Sequence, residues 1–177
     1  MDKQDLKLPG GLHVRPSNSS AADRIFLEKL HRERRDDLRL IEGEQDFIES
    51  LIDMQFQAMN QGYGEQFPNA MYFIIEYHQS PVGRAVLDFS QDQVHLIDIV
   101  FTRQARGHGL GEAVIRSFMY SANQLKAPMT LSVQQINSQA RQLYLRLGFH
   151  VTQIEPPYER MIWYPPSVQP LDAGLPM

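Results

Sequence analysis

The sequence predicts an α+β protein built on one mixed, mainly antiparallel sheet of about seven strands, flanked by about four helices. Three observations carry that expectation. First, the apolar runs 71–77, 82–89 and 94–101 follow one another across short polar loops, as in an antiparallel meander. Second, a long amphipathic helix separates the last of these from another strand-like run, 128–134. A crossover of that length suits a parallel pair of strands. Third, a capped helix after Asn137 leads into two final strands joined around Pro156-Pro157.

Taken in order, residues 1–11 read as a flexible lead, and 12–164 as a single domain. Leu12-His13-Val14-Arg15 alternates like a short strand and stops at Pro16. Asn18-Ser19-Ser20 offers an N-cap, with Asp23 three residues after Ser20, ahead of the apolar Ile25, Phe26, Leu27 and Leu30. The mixed-sign run from His31 to Asp37 reads as a solvated helix end and loop. A second helix is expected over Glu44–Asn60, with Phe47, Leu51, Met54 and Ala58 on one side and Gly62 and Gly64 beyond it. The meander follows. The long helix then carries Leu110, Val114, Phe118, Ser121 and Leu125 as its expected buried face. Asn137-Ser138 caps a helix whose Ala140, Leu143, Tyr144 and Leu147 share a face, and Gly148 stops it. The strands expected over 149–154 and 158–163 close the domain, and the Pro-rich tail 165–177 reads as disordered. If the tail packs instead, a homodimer is the assembly it would serve.

Bulk properties exclude several functions. A chain of 177 residues is long enough to bury about two thirds of its unfolded surface. A net charge of −4 argues against nucleic acid as a partner, since such proteins concentrate basic charge. With no cysteine there are no disulfides, no thiolate catalysis and no Cys-ligated metal. The N-terminus lacks the apolar core of a signal peptide, and no apolar run approaches a membrane span. The expectation is a soluble, cytoplasmic protein with no membrane partner.

The chemistry concentrates between the third meander strand and the long helix. Gln104-Ala105-Arg106-Gly107-His108-Gly109-Leu110-Gly111 joins them. The glycines let main chain approach a phosphate closely, and the first N–H groups of the helix have no intrahelical partner. The positive end of the helix dipole and the charge of Arg106 favour an anion at the same place. The plainer reading is a turn that needs glycine only to turn. Two phosphate-binding folds fail on spacing. A P-loop needs Lys-Ser/Thr after its last glycine, where this chain has Glu112-Ala113. A dinucleotide fingerprint needs Gly-x-Gly-x-x-Gly, but Glu112 or Val114 falls at the third glycine.

The order of elements and two motifs resemble the GNAT superfamily of acyl-CoA-dependent N-acyltransferases, over roughly residues 12–164. The superfamily pattern Gln/Arg-x-x-Gly-x-Gly/Ala is matched from Gln104 to Gly109 and again from Arg106 to Gly111. Asn137-Ser138-Gln139-Ala140-Arg141-Gln142-Leu143-Tyr144-Leu145-Arg146-Leu147-Gly148-Phe149 is similar to the family's Asn-x-x-Ala-x-x-Leu-Tyr-x-x-x-Gly-Phe signature. Arg103 stands where the family often has proline.

The resemblance implies a fourth and fifth strand that run parallel and splay apart, and acetyl-CoA as co-substrate with no metal. Main-chain amides from Arg106 through Gly107, His108, Gly109 and Leu110 to Gly111, with Gln104 beside them, would hold the diphosphate. His108 itself reads as a solvated loop residue within reach of phosphate. The pantetheine arm would pair with main chain along Ile99, Val100 and Phe101, where an amide could also polarise the thioester carbonyl. Asn137 would contact the arm, a role compatible with capping the helix. Tyr144 is the candidate general acid, since a phenol titrating near 10 can protonate a departing thiolate. Its plainer role is a core tyrosine. For the general base, acting directly or through water, His95 and Asp98 are rivals on opposite faces of one strand. An acid inside so apolar a strand needs a partner in either case.

The function implied is transfer of acetyl from acetyl-CoA directly to a primary amine of a small molecule or peptide. The acceptor pocket would lie between the first two helices and the Glu155–Tyr158 turn, where Glu42, Glu44, Glu155 and Glu159 would favour a cation. A non-catalytic acyl-CoA-binding sensor or scaffold is the alternative. An ATP-binding enzyme using the same loop is a third reading.

Overall fold

The computed structural model describes residues 6–34, 67–90 and 92–168. The helix expected over Glu44–Asn60 lies outside the described residues. Among the described residues eight strands are found: β1 (Leu6–Lys7), β2 (Leu12–Pro16), β3 (Ala70–Tyr77), β4 (Ser80–Phe89), β5 (Val94–Phe101), β6 (Met129–Gln134), β7 (His150–Glu155) and β8 (Tyr158–Trp163). They form one sheet in the order β1-β2-β3-β4-β5-β6-β8-β7. Among the described residues the helices are α1 (Ala21–Arg34), α2 (Leu110–Gln124) and α3 (Ser138–Arg146). No helix among them is long and apolar enough to cross a membrane.

By compactness the chain divides into two units, Met1–Val86 with Asp98–Leu110, and Leu87–Ile97 with Gly111–Met177. In the first, β2 runs antiparallel to β3 from Leu12↔Tyr77 to Pro16↔Phe73. Its far edge carries the two-residue β1, paired through Leu6↔Val14 and Lys7↔His13. The strand thus begins inside the segment expected to be a lead, because β2 offers an edge of main-chain groups to pair with. Helix α1 starts as the sequence suggested, with Ser20 Oγ accepting from the Asp23 N–H at 3.2 Å. Asp23 does not complete a capping box. Its carboxylate receives two bonds from Arg15, at 2.9 and 2.6 Å, which hold it well below the usual carboxylate range. Phe26 and Leu30 of α1 pack with Ile74, and Leu27 and Val100 join this cluster.

In the second unit β5 and β6 are parallel, paired through Val94↔Met129, His95↔Thr130 and Leu96↔Leu131. Strand β8 lies antiparallel to both β6 and β7. The buried face of α2 is Val114, Ile115, Phe118, Met119 and Ala122. Leu125, expected on that face, lies past the helix end and is 61% exposed. The expected positions step by four, four, three and four residues, on average longer than the helical period of 3.6, so the stripe drifts off the core. The segment from Pro165 is ordered at its start. Pro166–Val168 forms a 3-10 turn, and Ser167 Oγ donates to Asn123 Oδ1 at 2.8 Å.

Candidate active site

The loop that joins β5 to α2 opens with a 3-10 turn, Arg103–Ala105, closed by the Ala105 N–H on the Thr102 carbonyl at 3.1 Å. Gly107 and Gly109 then take φ of +80° and +75°, a region that L side chains enter at a cost. A Cβ placed on either glycine meets nothing within 4 Å. Gln104, Arg106, Gly107, His108 and Gly109 are exposed. Among the described residues, the amides of Gly107, His108 and Gly109 donate to no protein group. Leu110 begins α2 immediately afterwards, so the first N–H groups of that helix follow on the same run of chain. The result is a stretch of main chain with donors presented and side chains withheld, which suits an oxyanion such as phosphate. The guanidinium of Arg106 folds back, and its Nε donates to the Phe101 carbonyl at 3.1 Å.

The strand leading into this loop is held from below. Gly83 of β4 has room for no side chain, since a Cβ would stand 2.6 Å from the Val100 carbonyl oxygen and 2.9 Å from the Phe101 ring. The Thr102 N–H donates to the Val82 carbonyl at 2.8 Å. Asp98, 8% exposed, receives both arms of Arg34 at 2.7 and 2.9 Å. Arg84, 4% exposed, adds a third bond at 3.2 Å. Burying one carboxylate without cations would cost several kcal/mol, and here two guanidinium groups meet it. The run from His31 is therefore more than a solvated helix end, although Arg34 itself keeps exposed surface. His31 is buried, Arg34 binds Asp98, and Glu33 Oε2 accepts the Arg103 N–H at 3.1 Å. Residues 35–37 of that run lie outside the described residues.

The other candidates stand in the second unit. His95 Nδ1 lies 2.8 Å from Thr130 Oγ1, across the β5–β6 ladder. Burial pushes its pKa below the usual 6.5, with Asp88 opposing and Arg160 adding to that shift. Asn137 caps α3, its Oδ1 accepting the Ala140 N–H at 3.3 Å. Tyr144, 7% exposed, sits on that helix with its ring edge-on to Phe149, centroids 5.7 Å apart. The Phe149 N–H returns to the Tyr144 carbonyl at 3.0 Å while Gly148 takes a φ of +102°, so the end of the helix fixes both aromatic residues. Arg141 anchors α3 to β8 through buried Glu159, at 2.6 Å.

The structure thus gathers Asp98, Ile99, Val100, Phe101, Gln104, Arg106, Gly107, His108, Gly109 and Leu110 in the first unit, and His95, Gly111, Asn137 and Tyr144 in the second. Three residues that shape the site were not singled out in the sequence: Glu33, Arg34 and Arg84. A charge inside the apolar run 82–89 was the available signal for Arg84, as Asp98 was for its own need of a partner.

The fold recurs in solved structures. Over 86% of this chain and 98% of the other, it is similar to the PaiA N-acetyltransferase of Thermoplasma acidophilum in complex with coenzyme A, with 14% identity and a TM-score of 0.62. RimL, a ribosomal alpha-N-protein acetyltransferase in complex with coenzyme A, aligns over 93% and 99% with 9% identity and a TM-score of 0.66. FdhC, a nucleotide-linked sugar GNAT, aligns over 90% and 89% with 17% identity and a TM-score of 0.64. No curated protein matches the sequence. A family model, Acetyltransferase (GNAT) family, matches residues 27–149, a span that takes in β5, the glycine loop, α2 and α3. The chain belongs to the GNAT acetyltransferase family.

Proposed function

We propose that the protein is an N-acetyltransferase that passes acetyl from acetyl-CoA directly to a primary amine of a small molecule or peptide. The observation that carries this reading is the exposed run of amides at Gly107, His108 and Gly109, unpaired among the described residues and ahead of the α2 N-terminus. Those donors fit a diphosphate, and acetyl-CoA brings to them a thioester whose acyl carbon accepts an amine. Two solved structures of the same fold, PaiA and RimL, hold coenzyme A.

In this reading the main chain from Arg106 to Gly111, with Gln104, binds the diphosphate. Main-chain groups of Ile99, Val100 and Phe101 bind the pantetheine arm and polarise the carbonyl, and Asn137 touches the arm. Arg106 leaves the Phe101 carbonyl as the arm arrives. Tyr144 gives its phenolic proton to the sulfur as the C–S bond breaks. His95 is the better of the two bases, because burial keeps it neutral at pH 7. Asp98 has its oxygens occupied by Arg34 and Arg84. The acceptor stays at the level of an amine. RimL acts on a ribosomal protein and FdhC is a nucleotide-linked sugar GNAT, on one fold at nearly equal TM-scores.

Free thiol release from acetyl-CoA across a panel of amines and peptides tests the proposal. Amine-dependent release supports it. Coenzyme A binding without release for any amine favours a sensor instead, and calorimetry that shows ATP or NAD bound in preference to acetyl-CoA sinks both. Gly109→Glu places a carboxylate among the phosphate donors, so coenzyme A binding should vanish while the stability of the fold drops only by the cost of one left-handed residue, about 1–2 kcal/mol.

A further inference from the structure

The segment from Asp98 to Arg103 is gripped at both ends by two consecutive residues of one helix. Arg34 holds the Asp98 carboxylate at 2.7 and 2.9 Å, and Glu33 Oε2 accepts the Arg103 N–H at 3.1 Å. Between these two points run Ile99, Val100 and Phe101, beyond Leu96, where the pairing of β5 with β6 ends. The upper grip fills a vacancy in the local chemistry. Arg103 begins the 3-10 turn that launches the glycine loop, and Thr102, in the capping position, makes no side-chain cap. A helical turn needs an acceptor for its first N–H groups. Glu33 supplies it from a helix 70 residues earlier in the chain.

We infer that Glu33 is a positioning residue for the acyl carrier: it caps the launch turn of the phosphate loop and, with Arg34, braces the strand segment that meets the pantetheine arm. This rests on the acyl-CoA reading above. The role follows from geometry. Glu33 does not touch the carrier, and its carboxylate would repel a diphosphate if it did. It acts by fixing where the chain turns from strand into loop, so the amides of residues 107–109 are aimed before the ligand arrives. Losing such order raises the cost of binding, and the chemical step is untouched once the carrier is seated.

The test compares Glu33→Ala, Glu33→Gln and the wild type, with coenzyme A affinity from calorimetry and the KM and kcat for acetyl-CoA. A lost cap should weaken coenzyme A binding in Glu33→Ala by about two- to thirtyfold, and raise KM by a similar factor with kcat held within about twofold. Glu33→Gln keeps an oxygen acceptor at the same reach and should restore the wild-type values. Unchanged affinity in Glu33→Ala overturns the inference, as does a Glu33→Gln that behaves like Glu33→Ala. A fall in kcat with KM unchanged also overturns it. If wild-type protein fails to bind coenzyme A, the acyl-CoA reading falls first and this inference with it. The wild-type control separates the two failures.

Discussion

Strand β5 carries an ionisable side chain towards each end, and the two are treated in opposite ways. Asp98 is buried against two guanidinium groups, which engage both of its carboxylate oxygens. His95 is partly buried, beside a threonine hydroxyl, and its charged form is disfavoured. The same physical cost, removal of an ion from water, is met at one end by supplying counter-ions and at the other by giving up the charge. A carboxylate shared between two arginines holds chain in place. A neutral imidazole can still take up a proton. The difference between structural and chemical use of a titratable group lies in the partner, and on the function proposed above the two uses would stand three residues apart.

That contrast can be broken. The largest effect is expected from Asp98→Asn, which removes the carboxylate that buried Arg84 and Arg34 share. Loss of one partner from such a pair costs about 3–5 kcal/mol, or roughly 6–20 °C in melting temperature for a chain of this size. A melting temperature within about 2 °C of wild type would show that the pair is not structural. His95→Gln should do the reverse, lowering turnover about a hundredfold or more with the fold intact, as for a lost general base. Unaltered turnover would remove His95 from the chemistry. Tyr144→Phe sharpens the picture on the acid side. Turnover should fall by about tenfold to a thousandfold with acetyl-CoA affinity little changed, whereas a purely packing role would leave turnover intact.

The smallest effect is on stability against pH. Because the folded-state pKa of His95 lies below 6.5, the unfolded chain binds the proton more readily. Its contribution is fully present above pH 6.5 and is lost as pH falls through the lower, folded value. Chemical denaturation of His95→Gln should show a shallower fall in stability below about pH 6.5 than the wild type, by at most about 1.4 kcal/mol per pH unit. Parallel profiles would mean that His95 is as easily protonated folded as unfolded.

Much of this architecture is written locally. The bounds of β5 follow from one apolar run ended by a polar turn, and the end of α3 follows from Gly148 at a left-handed position. The glycine loop and the Asn137–Phe149 block are legible for the same reason, since each is a run of neighbours whose chemistry depends on spacing. The Asp98 network was not, because Arg84 lies 14 residues away and Arg34 lies 64 away. Sequence signals the need for a cation there and leaves its source open. Glu33 was missed for a related reason: in a stretch of mixed charge, solvent is the default partner, and only the fold brings the Arg103 amide to it. The extra strand β1 has two residues, too few for any period to register.

The placement of β8 between β6 and β7 has a consequence for how the protein is made. The strand that joins those two neighbours is the last of the three to leave the ribosome. At about 5–20 residues per second, roughly one to five seconds separate the emergence of Gln134 from that of Tyr158. Through that interval β6 has no β8 on its open edge, and β7 has nothing to pair with. Nascent chains stalled before Tyr158 should therefore be held by chaperones, and those stalled well beyond Trp163 released.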